Sequence, residues 1–74
     1  MKTRLRVWKG EQEISDDLKL VPEGALPGGW SQYELCYVAK DAEGHPSAPE
    51  HVGWIESGYL SDCAERFHYI VEAV

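Results

Sequence analysis

Residues 60–74 have the sequence LSDCAERFHYIVEAV, and the conformation of this stretch decides the fold. From Phe67 onward, its β-branched and aromatic content is typical of a strand. At about 100° per residue, however, most of its apolar side chains fall within an arc of roughly 120°. These side chains are Leu60, Cys63, Ala64, Phe67, Ile70, Val71 and Val74. We therefore predict an amphipathic helix over residues 61–73.

The beginning of this segment carries residues that commonly cap helices. Ser61 or Asp62 can accept a hydrogen bond from a backbone N–H as the N-cap. Asp62 and Glu65 place carboxylates where the helix dipole favours negative charge, and their spacing matches a variant of the capping box. These residues favour the helix over the strand.

Three segments upstream show the alternation of apolar and polar residues that is typical of strands, namely residues 3–8, 30–39 and 51–56. Because consecutive strands usually lie side by side, we expect residues 30–39 and 51–56 to pair antiparallel. Residues 15–29 are dense in glycine and proline, so we predict an irregular loop there.

Length and composition indicate one small domain spanning residues 1–74. The chain has 74 residues, of which 43% are hydrophobic and 27% are charged. A chain of this size buries only about 60% of the surface that it exposes when unfolded, so it has too few apolar side chains for a second core. The predicted fold class is α+β, in which a three- to four-stranded antiparallel sheet is packed by one C-terminal amphipathic helix.

The charge is strongly negative and unevenly distributed. The net charge is −6, although the first nine residues contain the bases Lys2, Arg4, Arg6 and Lys9 and no acid. An acidic field repels the phosphate backbone, so we expect no direct nucleic-acid binding. The same field attracts a partner with a basic surface.

Cysteine usage and the N-terminal sequence indicate a compartment. The two cysteines, Cys36 and Cys63, are typical of free thiols in a reducing environment. No apolar stretch of the secretory type follows Met1, and no run approaches the ~18 apolar residues of a membrane span. We therefore predict a cytoplasmic protein without a membrane partner.

The motifs of catalysis and metal binding are missing from the sequence. Ser57 lacks the leading glycine of the Gly-x-Ser-x-Gly nucleophile elbow, and Cys63 falls on the predicted apolar arc. His45, His51 and His68 do not have the spacing of zinc ligands. We therefore predict that the protein is not an enzyme and that it uses neither a metal nor a cofactor.

The predicted helix defines a first candidate surface. Its projection places Tyr69 opposite the apolar arc, on the same side as Asp62, Glu65 and Glu72. An exposed tyrosine among carboxylates suits an arginine-rich partner, which can combine ring stacking with charged hydrogen bonds. Alternatively, Tyr69 is a half-exposed residue at the helix edge or a contact within a homodimer.

The first predicted strand defines a second candidate surface. Alternation places Arg4, Arg6 and Trp8 on one face, where they could stack bases or hold an anion. Alternatively, an arginine forms a cross-strand ion pair with Glu13 or Glu34.

These observations predict a small acidic, non-catalytic protein-binding module. In the leading hypothesis it is a stoichiometric modulator or inhibitor that occupies a basic, nucleic-acid-binding surface of a larger protein. The first alternative is a homo-oligomeric structural or accessory subunit whose sheet edge or apolar loop completes a partner's fold. The second alternative is a small-ligand binder with an aromatic pocket around Trp30, Trp54 and Tyr37.

Overall fold

The computed structural model describes residues 2–26, 30–56 and 58–74, and most of these residues lie in strands. The strands are β1 (Thr3–Lys9), β2 (Gln12–Glu13), β3 (Leu18–Leu26), β4 (Trp30–Tyr37), β5 (Glu50–Glu56), β6 (Tyr59–Ser61) and β7 (Phe67–Ala73). A 3₁₀ turn, Ser15–Asp17, separates β2 from β3. The strands form a three-stranded antiparallel sheet with the order β2-β1-β7 and a four-stranded antiparallel sheet with the order β3-β4-β5-β6.

The core contains buried side chains from both sheets. Its members are Val7, Ile14, Leu35, Tyr37, Val52 and Phe67. Val7 of the three-stranded sheet and Val52 of the four-stranded sheet are each 0% exposed. The edge of the Tyr37 ring meets Phe67 across the core, with the ring centroids 6.4 Å apart. The two sheets therefore bury their apolar faces in one shared core.

The predicted C-terminal helix over residues 61–73 is wrong, and so is the α+β fold class. Residues Phe67–Ala73 form β7, which pairs antiparallel with β1 from Thr3↔Ala73 to Lys9↔Phe67. Within the described ranges, helical structure is limited to the 3₁₀ turn. The single predicted sheet is likewise replaced by two sheets.

Two periodicities coincide in the C-terminal segment, and this coincidence explains the error. Phe67, Tyr69 and Val71 alternate on the face of β7 that continues the buried face of β1, while the same segment also fits a helical arc. Pairing with β1 supplies hydrogen-bond partners for the backbone groups of alternate residues over the length of the strand. Asp62 has a φ of 51°, which lies outside the right-handed helical region. Cys63 packs against the core from the connection between β6 and β7.

The other predicted strands correspond to strands of the structure. β1 covers residues 3–8, β4 covers most of residues 30–39, and β5 covers residues 51–56. The expected antiparallel pairing of β4 with β5 is confirmed.

The predicted irregular loop over residues 15–29 is wrong over most of its described length. After the 3₁₀ turn the chain forms β3, whose register with β4 shifts between Pro22 and Gly24. Because β3 is an edge strand, a proline can lie there without removing a central ladder bond. Gly24, with a φ of 113°, takes the backbone conformation that the bulge requires. The part of the predicted loop over residues 27–29 lies outside the described residues.

Candidate protein-interaction surface

The four residues predicted to surround a partner arginine do not form one surface. Asp62 and Glu65 are exposed in the connection between β6 and β7. Tyr69 and Glu72 lie on opposite faces of β7, since residues three apart in a strand point in opposite directions. The helix would have placed all four on one side, so this predicted grouping depended on the helix.

Arg4, Arg6 and Trp8 do share a face, the outer face of the three-stranded sheet. In the register of β1 with β7 they lie opposite Glu72, Ile70 and His68, respectively. The strand therefore brings Glu72 of the first predicted surface onto the second predicted surface.

Arg6 is the centre of the ion pairs on this outer face. Its Nε and Nη2 donate to the two carboxylate oxygens of Glu13 at 2.9 and 2.7 Å, and Nη1 lies 3.6 Å from Glu72. The alternative prediction, an arginine paired with Glu13, is confirmed. Hydrogen bonds from Arg6 and then from Ser15 lower the pKa of Glu13 to about 2, and the bond to Glu13 raises the pKa of Arg6.

The aromatic side chains continue this arrangement along the strand. The Arg6 guanidinium carbon lies 4.8 Å from the centroid of the Trp8 ring. Trp8 in turn stacks on His68, with ring centroids 5.3 Å apart and planes 1° from parallel. Arg6 and Trp8 thus contact each other and their sheet neighbours, which does not favour a stripe that stacks nucleic-acid bases.

The Arg6–Glu13 pair predicts a specific pH dependence of stability. The pKa of Glu13 lies below its ordinary value of 4.5, so the charged carboxylate stabilises the fold above that pH, and the contribution is lost as the pH falls through about 2. We expect Glu13→Gln to lower the melting temperature at neutral pH and to lose this difference on acidification. Thermal melts across the acidic range measure this. Glu11→Gln, at an exposed carboxylate, is the control. A difference for Glu13→Gln that is independent of pH would contradict the role of the pair.

Among the described residues, one edge of the β7 backbone is free. Val74 N–H donates to the Lys2 carbonyl at 3.0 Å, so the even-numbered residues of β7 direct their N–H and C=O groups towards β1. Phe67 N–H points the other way and donates to the Ala64 carbonyl at 2.9 Å. The other residues whose backbone groups point away from β1 are Tyr69, Val71 and Ala73. Within the described strands, β7 has β1 as its one neighbour.

Exposed apolar side chains accompany this edge. Tyr69 is 39% exposed, Ile70 46% and Val71 61%. Tyr69 and Val71 line an apolar groove of about 440 Å³ between β7 and the end of the four-stranded sheet, where Tyr59 and Leu60 of β6 form the opposite wall. Free backbone groups and apolar side chains therefore lie along the same strand. Sequence reasoning missed this edge, because the exposure of Ile70 and Val71 becomes evident only once β7 lies at the end of its sheet.

A second cluster of polar and aromatic side chains lies on the four-stranded sheet. His51 Nδ1 is 2.5 Å from a carboxylate oxygen of Glu34, and its ring lies 5.3 Å from that of Trp54. Cys36 pairs with His51 in the register of β4 with β5. Burial, and then the neighbouring Glu34 carboxylate, raise the pKa of the Cys36 thiol, so it is protonated at neutral pH. A protonated thiol is a weak nucleophile.

The aromatic pocket predicted around Trp30, Trp54 and Tyr37 is not formed by Tyr37 and Trp54, which lie in different surroundings. Tyr37 is buried in the core against Phe67. Trp54 pairs with Glu34 in the β4–β5 register and contacts His51, outside that core. The Trp30 side chain lies outside the described residues.

Comparisons with other proteins provide no relative from which to infer a function. No protein-family model, curated protein or solved structure matches the chain. Across the described residues, no helix has the length and apolar character needed to cross a membrane. Over the same residues, no three side chains of the ligating types are grouped as a metal site requires.

Proposed function

We propose that this chain is a non-catalytic protein-binding module and that the free edge of β7 is its binding element. A partner strand would pair with the outward backbone groups, while its side chains enter the adjacent groove. This corresponds to the predicted alternative in which a sheet edge of a structural or accessory subunit completes a partner's fold.

The contrast between β7 and the other sheet edges carries the proposal. Proteins protect sheet edges by keeping them short or by placing prolines and bulges in them. β2 has 2 residues and β6 has 3, whereas β3 contains Pro22 and a register shift. β7 has 7 residues, contains no proline and pairs with β1 without a register shift. Of the edges described, β7 is the one best suited to accept another strand.

The state of the cysteines supports a non-catalytic role in a reducing compartment. Burial raises the pKa of the Cys63 thiol as it does that of Cys36, so both are protonated at neutral pH. Both cysteines are free thiols. We accordingly place the module in the cytoplasm, where thiols stay reduced.

The acidic exterior favours a second candidate, the modulator that occupies a basic surface of a larger protein. Arg6 is paired with Glu13 and Glu72, and both Lys9 and Arg66 are paired with Glu50. The charges of these three bases and three acids cancel. Of the seven bases and thirteen acids in the chain, four bases and ten acids remain, and their difference is the net charge of −6. A field of this sign attracts a basic partner and is screened by salt.

One capture experiment tests both candidates. Immobilised protein is exposed to an extract of its native host at low and at high salt, and the bound protein is identified and quantified. Binding through the β7 edge should survive high salt. It should be lost in Val71→Lys, because the lysine places a charge in the apolar groove and disfavours pairing of another strand with this edge. The expected loss is at least about tenfold in captured partner.

The matched control is Leu20→Lys. Leu20 is 52% exposed on β3, so this variant makes the same change of charge at an exposed apolar residue of the other sheet's edge. Leu20→Lys should capture as much partner as the unmodified protein. Capture that survives Val71→Lys but is abolished by salt would contradict the edge and favour the acidic modulator.

A further inference from the structure

We infer that the strand occupying the free edge of β7 is β7 of a second copy of this chain, antiparallel to the first about a two-fold axis at Ile70. The inference rests on the proposed function, since it names the partner of the same edge. The product is a two-fold dimer with one continuous six-stranded sheet of order β2-β1-β7-β7-β1-β2.

Symmetry restricts the register of such a pair. A two-fold axis perpendicular to a sheet keeps each face on its own side, so an inward residue of one copy must lie opposite an inward residue of the other. One residue must therefore face its own equivalent in the second copy, and the axis lies midway between these two equivalent residues. Full overlap of the strand Phe67–Ala73 places the axis at its midpoint, Ile70.

The backbone groups fit this register. With the axis at Ile70, Tyr69 of each copy lies opposite Val71 of the other. Both residues direct N–H and C=O to the free edge, so each such pair exchanges two hydrogen bonds. Ile70 lies opposite its own equivalent in a non-hydrogen-bonded position, where side chains approach most closely.

The side chains are complementary in the same register. On the face towards the core, an aromatic ring lies opposite a β-branched side chain, Tyr69 against Val71. On the outer face, the His68 imidazole lies opposite the Glu72 carboxylate of the second copy. A shift of the axis by one residue places Ile70 opposite either His68 or Glu72 and removes both matches.

The local charge permits two acidic molecules to meet at this sheet. The three strands contain the bases Arg4, Arg6 and Lys9 and the acids Glu13 and Glu72, a balance of +1, whereas the whole chain carries −6. The remaining acids lie in other parts of the chain. The edge of β7 is thus a place where two copies can pair without opposing carboxylates.

Light scattering after size exclusion, across a dilution series of the full chain, tests the dimer. The unmodified protein should have twice the monomer mass at high concentration and dissociate on dilution. Val71→Pro removes an N–H that points away from β1, which an edge strand tolerates. Two hydrogen bonds are lost from the symmetric interface, so the dissociation constant should rise about tenfold or more.

The control for the proline is Ala42→Pro. Ala42 is the second residue of a turn in which Gly44 N–H donates to the Asp41 carbonyl at 3.0 Å, a position that favours proline. This variant should dimerise as the unmodified protein does. A dimer that is unchanged in Val71→Pro would overturn the pairing of two copies through the β7 edge, whereas the proposed function is decided by the capture experiment with Val71→Lys.

Cysteine cross-linking tests the register independently of the proline. Ile70→Cys should form an intermolecular disulfide between its two equivalents under mild oxidation, mapped by mass spectrometry of the peptides, because the paired Cα atoms lie within disulfide range. His68→Cys should not, since its equivalents lie about 13 Å apart along the strands. A link between equivalent residues 68 rather than 70 would overturn the register.

A protein that is monomeric at every concentration, but loses its captured partner in Val71→Lys, would overturn the second copy alone and leave the proposed function in place.

Discussion

Phe67→Ala should lower the free energy of unfolding by about 3–5 kcal/mol. Phe67 is 4% exposed and lies in the core that joins the two sheets. Its ring meets the Tyr37 ring edge-on, and the Arg66 guanidinium carbon lies 5.1 Å from its centroid. Removing the ring therefore creates a cavity and removes aromatic and cation–π contacts in a domain with little stability to spare.

Chemical denaturation of Phe67→Ala measures this loss, and Val74→Ala is the matched control. The predicted helix placed both residues on one apolar arc, whereas in the structure Val74 is 77% exposed. We expect Val74→Ala to change stability by less than about 0.5 kcal/mol. Comparable losses in both variants would be inconsistent with β7 as a strand, and a loss of less than about 1 kcal/mol in Phe67→Ala would be inconsistent with the burial of Phe67 in the core.

The C-terminal segment shows where sequence reasoning reached its limit. Strand β4 was predictable because Tyr33, Leu35 and Tyr37 alternate without a competing helical period. From Phe67 to Val71 both periods fit, and the choice is made by pairing with β1, about sixty residues earlier in the chain. Because local periodicity carries no information about a distant partner strand, the helix and the strand could not be distinguished there.

Strand order also determined which features of the candidate site were predictable. The shared face of Arg4, Arg6 and Trp8 follows from alternation alone. Glu13, which pairs with Arg6 in the structure, is one of the two acids that the sequence suggests for a cross-strand ion pair. The free edge of β7 could not be predicted, because periodicity does not indicate which strands lie at the edges of a sheet. For the same reason Pro22 indicated a loop, although an edge strand accommodates it.

Gly53→Ala should destabilise the protein by about 1–3 kcal/mol, since a single methyl group has no space at this position. Gly53 is buried in β5, directly beneath β6 and the connection that follows it. A Cβ at this position would lie 2.9 Å from Leu60 Cδ1, 2.9 Å from the Ser61 carbonyl oxygen and 3.3 Å from the Cys63 Cα. Two of these three atoms belong to the backbone, so rotation of a side chain cannot relieve the overlap and β6 must move.

A double-mutant cycle with Leu60→Ala separates the two sources of this strain. Leu60→Ala removes the side-chain overlap but leaves the Ser61 carbonyl oxygen in place, so most of the penalty for Gly53→Ala should persist in that background when measured by denaturation. A penalty that vanishes would show that Leu60 alone limits the space. Because β6 also forms the wall of the groove beside β7, displacement of its backbone should weaken binding at that edge in Gly53→Ala even under conditions where the variant remains folded.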